Sequence, residues 1–165
     1  MELYLQLQSR IDDLGGKVAR CAQQRPLARL LMTHPGVGPN TALATETILG
    51  DPKRFPSAKD LCSYVGLIPA EASSANKRRL GRVSKQGSAM LRFFWCEAVG
   101  HAARKDEELK RFYHRKLVQK GLGKAKVACA RKLGVRLWIM LRDGIDYDEF
   151  CRRGRQARGA SSGDA

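Results

Sequence analysis

Acidic side chains are missing from two long stretches of this sequence: none occurs between residues 72 and 96, and none between 109 and 142. Cysteine is sparse and scattered, at 21, 62, 96, 129 and 151, without a C-x-x-C pair. The three histidines, at 34, 101 and 114, have no neighbouring ligand types. Those spacings exclude a structural zinc site, and an odd, dispersed cysteine set reads as reduced thiols of a cytoplasmic protein rather than a disulfide frame. Long apolar runs are also absent. Glu2, Arg10, Asp12 and Asp13 interrupt the first segment, which excludes a signal peptide or a membrane-spanning helix there, so no membrane partner is expected. No internal repeat is visible.

What is abundant is positive charge. Thirty-one Lys and Arg stand against 16 Asp and Glu, a formal net charge of +15. The excess is concentrated in the two acid-free stretches, the first of which holds Lys77, Arg78, Arg79, Arg82, Lys85 and Arg92. Blocks of one sign inside apolar-periodic segments form a footprint for a polyanion, and nucleic acid is the partner this balance favours over an anionic membrane surface or an acidic protein. With 165 residues and 43% hydrophobic content the chain can bury one modest core, not two.

The patterning predicts an all-α, mainly helical fold. Leu7, Ile11, Leu14, Val18 and Cys21 recur at four, three, four and three residues, the stripe of an amphipathic helix over an N-terminal arm, 1–25. That stripe is either a coiled-coil seam, which would make a homo-oligomer, or a face packed on its own domain. Pro26 opens a second helix to Met32, and Pro39 a third to Leu49. Between them lies Pro35-Gly36-Val37-Gly38, so helix, tight glycine turn and helix follow one another as in a helix-hairpin-helix motif. In such a motif the amides of Gly36, Val37 and Gly38 would meet phosphates. The alternative is an ordinary αα-hairpin whose glycines permit close packing. His34, beside the turn, reads as a packing residue.

Ser57 is expected to cap a short helix ending near Tyr64, and 67–83 reads as a loop or short hairpin. A long helix is expected from Lys85 to Arg104, with Ser84 either its cap or a nucleophile beside Lys85. Helices over Glu107 to Lys120 and Lys124 to Arg142 should follow, separated by a flexible Gly121-Leu122-Gly123 turn. In the last of these, Lys126, Arg131, Lys132 and Arg136 should face away from the core. The main domain then covers 26–150, and 151–165 reads as a disordered basic tail.

Several ordered motifs carry a resemblance. They are Thr33-His34-Pro35-Gly36-Val37-Gly38-Pro39, Asp51-Pro52-Lys53-Arg54-Phe55 and Tyr64-Val65-Gly66-Leu67-Ile68-Pro69, then Ser73-Ser74 with Lys77, and Leu80-Gly81-Arg82-Val83-Ser84-Lys85-Gln86-Gly87. In order and spacing the chain resembles, over roughly 27–150, the C-terminal domain of the IS110 type of insertion-sequence transposases. The resemblance implies a recombinase acting on double-stranded DNA, guided in some members by a structured RNA. It also implies that a serine attacks the DNA phosphodiester, while an N-terminal RNase-H-like domain, not among these residues, holds magnesium through acidic side chains. No cofactor is expected in this chain itself. The family's Ser-Ser-Gly-Gly-Lys run aligns with Ser73-Ser74-Ala75-Asn76-Lys77, which makes Ser73 the first candidate nucleophile, Ser74 the second and Ser84 a rival by position. Ala75 and Asn76 replace glycines that would let the backbone approach a phosphate closely. Two functions follow: the DNA-binding part of a transposase, or a stand-alone nucleic-acid-binding module without chemistry.

Overall fold

A computed structural model describes the backbone of residues 1–71 and 80–161, with side chains over 1–69 and 83–157. The chain is mainly helical. Its elements are α1 (Glu2–Gln24), α2 (Pro26–Met32), α3 (Pro39–Leu49), a 3-10 turn (Pro52–Arg54), α4 (Ala58–Val65), β1 (Pro69–Glu71), β2 (Leu80–Val83), α5 (Ala89–Lys105), α6 (Glu107–Lys120), α7 (Leu122–Asp143) and α8 (Tyr147–Ser161). β1 and β2 pair antiparallel, Pro69 with Val83 and Glu71 with Leu80.

Local chemistry explains most boundaries. Proline at the first position starts α2 and α3, where its missing N–H costs nothing. Ser57 Oγ accepts from Asp60 N at the head of α4, and Asp106 Oδ1 accepts from Leu109 N at the head of α6. Gly66 and Gly144 close α4 and α7 in the left-handed conformation.

The core is organised around α7, whose Leu133, Leu137 and Met140 are fully buried. Trp95 of α5 fills the space between α7 and α3. Its ring lies flat enough on Gly134 that a Cβ there would sit 2.0 Å from Cζ3. Its Nε1 donates to Thr45 Oγ1 at 3.0 Å, and that hydroxyl donates to Thr41 O at 2.6 Å, so its buried N–H is satisfied. Trp138 makes a second such link, donating to Pro52 O at 2.8 Å.

Three boundaries differ from the sequence expectation. The long helix begins at Ala89 rather than Lys85, and its cap is Ser88, whose Oγ accepts from Leu91 N at 3.2 Å, not Ser84. The preceding residues cannot be helical: Lys85 has φ 55° and Gly87 φ 140°. Leu122 and Gly123 belong to α7, so the turn there is Gly121 alone. The basic tail expected to be disordered from 151 is helical through Ser161. No apolar stripe marks that stretch. Asp146 Oδ1 caps it by accepting from Glu149 N, and Glu149 carboxylate oxygens accept from Arg152 and Arg153 one turn on.

α1 packs only by its end. Ala22 is its buried residue, whereas Leu7 is 52% and Ile11 61% exposed. The stripe read from the sequence therefore lies open over most of its length. No helix among the described residues is long and apolar enough to cross a membrane.

Gly134→Ala tests the central packing. Alanine would gain about 1 kcal/mol of helix propensity, but overlap with Trp95 should outweigh it and leave the protein about 2 kcal/mol less stable. Gly123→Ala, in open space on the same helix, should be neutral or stabilising in the same urea titration.

Candidate nucleic-acid interface

The glycine hairpin is a turn in which Val37 N donates to His34 O at 3.1 Å, with Pro35 and Gly36 between them. Proline followed by a residue at positive φ suits a type II turn, and Gly36 has φ 81°. Gly36 is seated on α5. A Cβ there would lie 2.3 Å from the backbone nitrogen of Ala102 and 2.6 Å from the carbonyl carbon of His101. Val37 is buried in the core, 6% exposed. Gly38 alone of the three faces outward, with open space around it and an ordinary φ of −91° as the N-cap of α3. Only one of the two glycines therefore needs its conformational freedom, and that one serves packing.

His34 is inside as well. Its Nδ1 donates to Pro35 O at 2.9 Å, its ring meets Tyr147 edge-on at 4.6 Å, and its Nε2 is buried without a hydrogen-bond partner. Burial pushes its pKa down to about 4, so it is neutral at physiological pH and serves as a packing group. Tyr147 closes this corner by donating its backbone N–H to Thr33 Oγ1 at 3.0 Å and its hydroxyl to Asp106 Oδ2 at 2.6 Å.

The sequence reading missed the centre of that corner. Arg136, expected to face away from the core, is 4% exposed and bonds Asp106, itself 4% exposed. Its second nitrogen reaches Glu108 at 3.0 Å. Burial would raise the Asp106 carboxyl, but hydrogen bonds from Tyr147 and Leu109 N–H, with the Arg136 charge, outweigh it and hold the pKa below the usual carboxylate range. Asp106 stands just before Glu107-Glu108 at a helix start, and a capping search at that acidic turn was the available signal.

Of the candidate nucleophiles, Ser73 and Ser74 lie outside the described residues, as do the candidate contacts Lys77, Arg78 and Arg79, and the Arg82 side chain. The eight residues 72–79 join the paired strand ends Glu71 and Leu80. Ser84 is described: its N–H donates to Ile68 O at 2.8 Å, and its Oγ is closed to solvent without a partner. That position does not suit attack on an external phosphate.

Lys85 is exposed, and the segment around it is held by close backbone approach. A Cβ on Gly66 would lie 2.5 Å from Gln86 O, and one on Gly87 would lie 2.2 Å from Tyr64 O. Arg92 completes the clamp, with one guanidinium nitrogen donating to Val65 O at 2.9 Å and to Gly87 O at 3.0 Å. Arg92 thus positions the strand exit and Lys85 rather than standing free for a phosphate. Nearby, the Arg54 guanidinium lies over Phe55 and Tyr64, 4.6 and 4.4 Å from their centroids.

Residues 28–114, just over half of the chain and the part that carries the hairpin, the strand pair and the Arg92 clamp, match the model of the transposase IS116/IS110/IS902 family. The chain belongs to that family. Among relatives, the transposase for insertion sequence element IS1111A of Coxiella burnetii is 28% identical over 146 residues, 84% of this chain and 40% of the relative. An uncharacterized 43.6 kDa protein of insertion element IS110 from Streptomyces coelicolor is 30% identical over 139 residues, 82% of this chain and 34% of the relative. The transposase for IS1328 of Yersinia enterocolitica is 33% identical over 89 residues, 54% and 27% respectively. This family member therefore spans less than half the length of these relatives.

Two measurements check this geometry. Gly36→Ala should cost about 3 kcal/mol or more in urea denaturation, because positive φ and the α5 backbone both oppose a Cβ, whereas Gly38→Ala should fold like the parent. Stability should also fall between pH 7 and pH 4.5. The unfolded chain binds a proton at His34 near pH 6.5 that the folded chain refuses until about 4, so on the order of 2 kcal/mol is lost as pH drops through that window. His34→Asn should flatten this part of the pH profile, whatever its absolute stability.

Proposed function

We propose that this chain is the DNA-binding part of an insertion-sequence transposase and that Ser73 is its nucleophile toward a DNA phosphodiester. The observation that carries the reading is family membership over the segment that holds the serine pair and the first acid-free block. The strand pair and the Arg92 clamp support it by fixing both flanks of 72–79, the run that contains Ser73, Ser74, Lys77, Arg78 and Arg79.

In the reaction, Ser73 Oγ forms a bond to phosphorus as a deoxyribose oxygen leaves and takes up a proton, so the ester energy is kept in a protein–DNA linkage and can be returned to another strand. Lys77, Arg78 and Arg79 would balance charge at the phosphorus, with Lys85 and Arg82 on the approaching backbone. Among the described residues no group of three His, Cys, Asp or Glu could hold a metal ion. The magnesium that the resemblance implies would be held by the acidic side chains of an RNase-H-like domain.

Double-stranded DNA is the proposed partner, with a structured guide RNA as an additional ligand, and the open α1 stripe would serve self-association. The second reading is a non-catalytic nucleic-acid-binding module, favoured by Ala75 and Asn76 where the family has glycines.

The test has two stages. Duplex binding across a salt series, with structured RNA as competitor, should give affinity that falls steeply with salt, by about 0.9 log units per log unit of salt for each neutralised phosphate. Ser73→Ala should bind equally well but abolish strand exchange reconstituted with the acidic domain of a full-length relative. Exchange retained by that variant removes Ser73 from the reaction, and an affinity indifferent to salt removes the DNA reading.

A further inference from the structure

The second acid-free block, 109–142, folds into the α6–α7 hairpin, and its charges divide into two populations. Some are consumed: Arg136 bonds Asp106 and Glu108, Lys132 pairs with Glu108 at 2.8 Å, and Lys126 pairs with Glu97 at 2.8 Å. Others are not. Arg111 and Arg115 lie exposed on α6 with Lys120 at its end, and Lys124 is exposed in the first turn of α7. Lys116, half-buried between them, donates to the amide oxygen of Gln119 and lies over the Phe112 ring. Among the described residues none of these five has a carboxylate partner. The sequence supplies none from Leu109 to Arg142, and Glu107 at the base is paired with Lys110.

The tip also carries two bare aliphatic side chains, Val118 at 89% and Leu122 at 65% exposure, on either side of Gly121. A single exposed Val or Leu means little. Two at the apex of a rigid helical hairpin, ringed by cations, match the arrangement by which proteins press an apolar wedge between base steps while flanking Lys and Arg hold the phosphates.

We propose that the α6–α7 hairpin is a second duplex-DNA contact, with Arg111, Arg115, Lys116, Lys120 and Lys124 on the phosphates and Val118 and Leu122 wedged against a base step. The contact rests on the DNA reading given above, but it uses none of the residues named there. An acidic protein would complement the same charge; the apolar apex favours stacked bases in a groove.

The experiment uses the full chain and a mixed-sequence duplex carrying 2-aminopurine within the bound stretch. Lys116→Ala/Lys120→Ala/Lys124→Ala should reduce the magnitude of the log–log salt slope by about 2 to 3, because each lost phosphate contact contributes about 0.9. Val118→Ser/Leu122→Ser should leave that slope unchanged, weaken binding about tenfold at every salt concentration and abolish the rise in 2-aminopurine fluorescence that the parent chain produces on unstacking. Circular dichroism melts should match the parent, since the wedge pair and two of the three lysines are exposed.

Parent-like slopes and affinities in both variants overturn the contact while leaving the DNA reading standing. A reduced slope without any unstacking signal overturns the wedge. No duplex binding by the parent chain at low salt overturns the DNA reading and this inference together.

Discussion

The indole of Trp95 is the piece on which the remaining packing depends. Its ring needs a glycine beneath it on α7, and its N–H needs a hydroxyl across from it on α3. Thr45 can supply that hydroxyl because its own proton goes to the Thr41 carbonyl one turn back, so the chain of donors ends on an acceptor. With α3, α5 and α7 fixed to one another, Gly36 comes to rest on α5 at His101 and Ala102, and the orientation of the glycine hairpin is set. The hairpin is thus a consequence of the core before it is anything else.

A buried ionic corner fixes the other side. Asp106 caps α6, accepts from Tyr147 at the start of α8 and holds Arg136 of α7. An ion pair of this kind costs desolvation and adds little net stability over apolar packing, yet losing one member would strand a charge at a cost of about 3 to 5 kcal/mol. Its role is specification: the bonds made by Asp106 can be satisfied in one arrangement of three helices. Thr33 and His34 then receive Tyr147, which ties α8 back to the hairpin across more than a hundred residues of sequence.

The positive charge of the chain separates accordingly. Some cations are structural, as with Arg136 in the ionic corner and Arg92 on the carbonyls of Val65 and Gly87. Others, as at Lys85 and at Arg115, Lys120 and Lys124 of the α6–α7 hairpin, are exposed and have no carboxylate partner among the described residues. A net charge of +15 describes both kinds alike, and only the second kind is free to make a direct contact with a phosphate.

The sequence by itself determined the helices, because proline at positions 26 and 39, serine at 57 and the apolar periodicity act within a turn or two of chain. It also carried the family, through ordered motifs such as Tyr64-Val65-Gly66-Leu67-Ile68-Pro69 and the run from Leu80 to Gly87, and the concentration of charge. Tertiary structure alone decided which of those residues are free to act. Gly36 and Gly38 look equivalent as letters, but one is pressed on α5 and the other is open. Ser84 and Ser88 are equally good caps in isolation, and the close approach of Gly66 and Gly87 to neighbouring backbone excludes the first. The basic tail continues as a helix because Asp146 and Glu149 supply a cap and ion pairs that an apolar-period reading does not register. The physical reason is common to all of these: propensity and capping are local, whereas burial and the pairing of a charge depend on elements far away in sequence.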